Sequence, residues 1–304
     1  MEGHMKRNNL KILTLLLAVL LLISVCINVL LFISRHIDSE QKEEETTAPI
    51  DVSQIDKTSI GSYKTMEYTY LTNVNIATVT TGLNKTYLLL ANKGNALGSS
   101  YVPGQLTTLT CATLQSDRVY ELDSRAAAAL YAMLAEMRAA GVSDIMVASA
   151  YRSYSYQKDT YQKYLSYEQS CISSDAYRVF GQSYIKANYL DKKIFRLSLE
   201  DAETVVKSYS AYPGQSEHQT GLCIDFATSE EEEVLTEAFE LTAAFQWLSQ
   251  NAYKFGFILR YPKGMEDITG YTYEPWHYRF VGREAATDIY VGNMTLEQYL
   301  QLTN

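Results

Sequence analysis

Hydrophobic positions are spread unevenly along the chain. From Ile12 to Ile33 the sequence ILTLLLAVLLLISVCINVLLFI carries no charge, and only Thr14, Ser24 and Asn28 are clearly polar. As a helix rising roughly 1.5 Å per residue it reaches about 33 Å, enough to cross a hydrocarbon core of about 30 Å. Lys6, Arg7 and Lys11 precede it, whereas Arg35 and then an acidic run follow it. The positive-inside rule therefore predicts a cytoplasmic N-terminus at 1–11, a single transmembrane anchor at 12–33, and everything beyond on the outer face of the cell membrane. A cleaved signal peptide is the alternative, but its apolar region is normally shorter and ends in small residues at the cut. Residues 34–60 are polar, acidic and poor in aromatics, and read as a linker holding an outer domain, 61–304, off the membrane.

Within the outer domain the periodicity changes repeatedly. Alternation and β-branched residues across 64–90 predict short strands, and Asn92 to Gln105 is turn-rich. Asp123 or Ser124 then caps an alanine-rich helix that stops at Gly141. The apolar run IMVASA, 145–150, predicts a strand. Ser155 to about Tyr167 predicts a tyrosine-rich helix. Ser198, with Asp201 three residues on, opens another helix that ends before Pro213-Gly214. Thr242 to Phe255 forms a further amphipathic helix closed by Gly256, and Thr295 with Gln298 makes a capping box for the last turns. Helices mixed with short strands, without strict alternation, give an α+β fold.

Composition narrows the function by exclusion. The chain has 304 residues, 47% of them hydrophobic, and 25 tyrosines, which excludes wholesale disorder. A formal charge of -9 argues against a general nucleic-acid binder. Four cysteines are too few for a disulfide scaffold. Cys26 lies in the membrane segment, so among Cys111, Cys171 and Cys223 at most one pair forms and at least one thiol stays free.

The histidines carry the chemistry. There are four, and only His218 and His277 fall in the outer domain. His218 stands seven residues before Asp225 in SEHQTGLCIDF, and His277 three after Glu274 in YEPWHYRF. Two histidines and one carboxylate make a common catalytic zinc set, with a fourth position for water. Zinc lowers the pKa of that water to about 7, and a nearby carboxylate such as Glu274 would take and return its proton. Gly221 lets the chain turn between His218 and a strand over Leu222–Ala227. Pro275 forbids a helix at the second motif and favours an extended, polyproline-like stretch, whose period of about three brings Glu274 and His277 to one side. Arg152 directly follows the strand 145–150, where a loop side chain can point into a cleft.

These residues form a pattern. SEHQTGLCID closely resembles the S-x-H-x-x-G-x-x-x-D signature of the VanY-type D-alanyl-D-alanine carboxypeptidases, zinc peptidases of the group that includes lysostaphin-like enzymes. LLLANKGNALGSSYVP, SAYRSYSYQ and WLSQNAYKFGFILRYPKGMEDITGYTYEPWHYRFVG are similar to further family segments, and the likeness covers about 88–301. It implies an α+β fold with a small antiparallel sheet carrying the site, and one zinc ion on His218, Asp225 and His277. It also implies Glu274 as catalytic base, Arg152 as a substrate or transition-state contact, Gln157 and Ser216 near the substrate, and Trp276 and Tyr278 supporting the site. The implied substrates are bacterial peptidoglycan stem peptides, losing their C-terminal D-alanine. Cys223 departs from the pattern, which has a small residue such as alanine there.

Three alternatives meet the same sequence. A penicillin-binding serine enzyme needs S-x-x-K, S-D-N and K-T-G, and only Ser155-Tyr156-Gln157-Lys158 fits any of them. A non-catalytic wall-binding module would have no use for Glu274 beside the metal set. An L,D-carboxypeptidase or a related endopeptidase would share every motif, because pocket shape distinguishes these activities.

Overall fold

The computed structural model describes residues 67–73, 76–115, 117–230 and 235–303. The expected cytoplasmic N-terminus, the membrane segment 12–33 and the linker 34–60 lie outside the described residues. Among the described residues, no helix is long and apolar enough to cross a membrane.

Two small antiparallel sheets organise the described residues. Strands β1 (Leu106–Thr108) and β2 (Glu121–Asp123) pair with each other. Asp123 then accepts from the backbone N–H groups of Arg125 and Ala126, capping α1 (Ser124–Ala139) as its sequence predicts. Strand β3 (Met146–Ser149) leads to three helices, α2 (Tyr154–Glu168), α3 (Ser174–Ile185) and α4 (Leu199–Tyr209). These three pack around a core of their own that includes Tyr161, Leu165, Ile185 and Val205. Strand β4 (Cys223–Ala227), helix α5 (Ala243–Asn251), strands β5 (Phe257–Leu259) and β6 (His277–Phe280), and helices α6 (Arg283–Val291) and α7 (Leu296–Thr303) complete the order. The larger sheet runs β3-β4-β6-β5, antiparallel throughout.

Strand alternation divides this sheet by chemistry. Ile224, Phe226, Tyr278 and Phe280 enter the main hydrophobic core with α1, whereas Cys223, Asp225, His277 and Arg279 occupy the opposite face. Burying the apolar face fixes the register, since a slip of one residue would bring the polar set into the core.

Two local expectations change. Strands do not form among the described residues of 64–90; instead Ala77–Thr80 is a helical turn and Lys85–Leu88 a 3-10 turn. Ile76, Val79, Leu83 and Tyr87 pack on the main core at spacings of three and four, a helical period that the β-branched composition concealed. The helix expected over Thr242–Phe255 divides into α5 and a 3-10 turn, Ala252–Phe255, ending at Gly256 with φ +84°. Cys111, Cys171 and Cys223 are all free.

Candidate active site

The site begins as a row across three strands. Asp225 on β4 stands opposite His277 on β6, and an irregularity between Val147 and Ser149 brings Ser149 opposite Asp225 on the other side. Residues directly opposite in an antiparallel pair face the same way, so Asp225 and His277 meet: Nδ1 of His277 is 2.8 Å from Oδ1 of Asp225.

His218 arrives from a short 3-10 turn, Glu217–Thr220, whose end is Gly221 at φ +67°. A Cβ there would also lie 2.9 Å from Leu106 and 3.1 Å from Pro103, so both conformation and space call for glycine. The turn carries His218 Nε2 to 3.0 Å from Asp225 Oδ2, while His218 Nδ1 bonds the Ala150 carbonyl at 2.5 Å. That bond fixes Nδ1 as the protonated nitrogen and leaves Nε2 as a lone-pair donor. Nε2 is buried and makes no hydrogen bond.

Glu274 and His277 also come together, though by a different route from the expected polyproline stretch. The His277 N–H donates to the Glu274 carbonyl at 3.1 Å, closing a turn with Pro275 in its second position. Proline's fixed φ suits that position and its missing N–H costs nothing there. Glu274 Oε2 lies 3.7 Å from His277 Nδ1. Burial raises the Glu274 carboxyl to about 7, against the pull of His277, so its proton affinity is matched to neutral pH. Asp225 differs. Burial alone would raise it, but the two histidines outweigh burial and hold its carboxyl far below the usual range.

Arg152 follows β3 and is tied to the site through its backbone N–H, which donates to the His218 carbonyl at 3.1 Å. Its side chain lines the cleft, and its buried Nε has no partner. Gln157 on α2 is buried, donates to the Ala211 carbonyl at 2.7 Å, and turns an unpaired Oε1 inward. Ser216 and Trp276 line the same cleft. Tyr278 does not: alternation along β6 sends it into the main core, 5.7 Å from the Phe226 ring, where it supports the sheet rather than the histidines.

The structure adds a residue that the motif reading passed over. Glu217, 1% exposed, lies beneath His277, with Oε2 3.7 Å from Nε2 and neither atom otherwise paired. Its Oε1 accepts from Arg260 Nε and Arg279 Nη1, both at 2.8 Å. Arg260 is held in turn by a two-pronged contact with Glu297, and Arg279 by the carbonyls of Tyr87 and Leu89. Burial opposes the charge on Glu217, yet the two guanidinium groups keep it ionised well below the usual carboxylate range. Tyr261 covers the other side of His277, with ring centroids 4.8 Å apart. A carboxylate immediately before a ligand-type histidine was the available sign.

Two imidazoles and a carboxylate brought together in a buried setting, with one ring nitrogen left unsatisfied, make a donor set that suits zinc. The outer contacts fit as well, because each histidine has an oxygen acceptor at or near its other nitrogen.

Comparison with known proteins supplies a family. The family model for VanY, D-alanyl-D-alanine carboxypeptidase, matches residues 119–283. YodJ of Bacillus subtilis, a carboxypeptidase by name, is 35% identical over 216 residues, covering 70% of this chain and 67% of its own. A D-alanyl-D-alanine carboxypeptidase of Enterococcus faecalis is 44% identical over 99 residues, which is 33% of this chain and only 35% of that relative. Among solved structures, the LdcB LD-carboxypeptidase aligns with a TM-score of 0.56 at 34% identity, covering 71% of this chain and 86% of its own. A variant of the vancomycin resistance D,D-pentapeptidase VanY, in complex with Zn(II), aligns at 0.52 with 31% identity, covering 71% and 99%. VanYB in complex with D-alanine-D-alanine aligns at 0.52 with 32% identity, covering 71% and 97%. The chain belongs to the VanY D-alanyl-D-alanine carboxypeptidase family.

Proposed function

We propose that the protein is a zinc-dependent D,D-carboxypeptidase that removes the C-terminal D-alanine from peptidoglycan stem peptides. The observation that carries the proposal is the convergence of His218 Nε2, the Asp225 carboxylate and His277 Nδ1 at the foot of an open cleft, with Glu274 alongside. His218, Asp225 and His277 hold the ion. Zinc supplies a Lewis acid and a water of lowered pKa. Glu274 accepts the proton of the attacking water as its oxygen adds to the scissile carbonyl, and returns that proton to the amine nitrogen as the C–N bond breaks. The Ala150 carbonyl keeps His218 in one tautomer, and Glu217 orients His277.

Arg152 faces the reacting end of the substrate, where its planar fork suits either the developing oxyanion or the terminal carboxylate. Lysine cannot reproduce that fork. Arg152→Lys is therefore expected to lower kcat/KM at least about tenfold with bound zinc unchanged, measured by steady-state D-alanine release. Gln157 and Ser216 border the same end of the cleft, and Trp276 braces the turn before His277.

The likeness to the LdcB LD-carboxypeptidase favours a second reading, cleavage of tetrapeptides on the same machinery. Mass spectrometry of defined muropeptides incubated with the zinc-loaded protein separates the two. Loss of one alanine from the pentapeptide supports D,D-cleavage, and loss from the tetrapeptide alone moves the protein to the L,D class. No loss from either rejects the carboxypeptidase reading. The apolar segment 12–33 supports a place on the bacterial cell membrane, with residues 61–304 presented to the wall.

A further inference from the structure

Cys223 lies two residues from Asp225 on β4 and faces the same way. Its sulfur and a ring nitrogen from each of His218 and His277 all fall within 4.8 Å of one another. All three residues are buried, and Cys223 is fully so. His218, Asp225 and His277 line the cleft, whereas Cys223 does not, so the thiol reaches the cluster from the closed side. A second sign is His218 Nε2, which no hydrogen bond satisfies although its side chain is almost wholly removed from solvent.

We propose that Cys223 is a fourth protein ligand to the metal ion, its sulfur bound on the side opposite the cleft. Around a tetrahedral zinc ion, bonds of about 2.3 Å to sulfur and 2.0–2.1 Å to nitrogen set the donors roughly 3.3–3.6 Å apart, so side-chain shifts of about an ångström, shared among the three residues, close the set. The resulting donors, two imidazoles, a carboxylate and a thiolate, are softer than the three-residue set, and sulfur favours thiophilic metals. With four protein donors in place, water or substrate enters from the cleft as a fifth ligand, an expansion that catalytic zinc sites undergo. This inference rests on the proposed metal site and concerns how that site holds its ion.

Cobalt(II) distinguishes the ideas, because thiolate ligation produces a sulfur-to-cobalt charge-transfer band in the near ultraviolet that oxygen and nitrogen ligands do not. The full-length protein loaded with one equivalent of cobalt is expected to show that band. Cys223→Ala is expected to lose it while still binding one cobalt per chain, with zinc affinity lower by at least about tenfold in a competition titration. Cys223→Ser, which keeps the size of the side chain, is expected to lose the band in the same way. Stoichiometric cobalt without the band in the unsubstituted protein, or a band that persists in both variants, would overturn the proposal and leave the three-residue site standing. Failure of the unsubstituted protein to bind one cobalt per chain would instead reject the metal site itself, and this inference with it.

Discussion

Glu274→Gln is expected to reduce kcat on a stem pentapeptide by about 10²–10⁴-fold, the usual contribution of a positioned general base. Glutamine keeps the shape of the side chain and its place in the Glu274–His277 turn, but cannot take up a proton. Glu274 stands 3.7 Å from His277 Nδ1 without being one of the converging donors, so zinc should remain at one ion per chain. KM should change little, since the interaction lost belongs to the transition state. Steady-state kinetics together with metal analysis of the purified variant check both parts. A variant that loses zinc in proportion to activity would mean that Glu274 is a ligand rather than a base.

The second large effect concerns stability. Glu217→Ala removes the carboxylate shared by Arg260 and Arg279, two guanidinium groups with no solvent exposure. Breaking a buried ion pair by deleting one partner costs about 3–5 kcal/mol, because a charge is left without its counterion. Arg260 keeps Glu297 and Arg279 keeps two backbone carbonyls, which places the loss within that range rather than above it. For a domain of this size, at about 2–4 °C per kcal/mol, Tm should fall by about 6–20 °C in a thermal melt. The same deletion frees the His277 ring, so zinc affinity should drop by about 10–100-fold. Glu217→Gln should cost less stability than alanine, since the amide oxygen still accepts one guanidinium bond. A Tm shift below 2 °C for the alanine variant would show that the network is not what holds this side of the sheet together.

The two predictions rest on residues of very different visibility. His218, Asp225, His277 and Glu274 stood out in the sequence as neighbours because residues 61–304 hold no other histidines and each motif is short. Gly221 announced the turn that delivers His218, whereas Pro275, which reads as an extended polyproline-like stretch, sits instead in a hydrogen-bonded turn that the sequence did not reveal. Glu217 was hidden in plain view: a glutamate in a polar motif looks solvated until its partners are known, and these lie 43 and 62 residues further on. Tyr278 erred in the opposite direction. It sits beside a candidate ligand in the chain, yet strand alternation turns it to the other face of the sheet. Helices with local signals were largely legible, through the Asp123 cap, the Ser198 cap and the reciprocal bonds between Thr295 and Gln298. The segment 64–90 was not. Its β-branched residues imitate a strand, and packing against the main core overrides that preference with helical turns.

The measurement that tests the central claim most directly follows bound zinc and released D-alanine in the same samples. Metal-stripped protein is titrated with zinc, each fraction is analysed for metal content, and each is incubated with a defined pentapeptide. The account predicts that D-alanine release rises in proportion to zinc up to one ion per chain and falls back on chelation. D-alanine release independent of bound zinc, or one firmly bound zinc per chain with no alanine released, would contradict it.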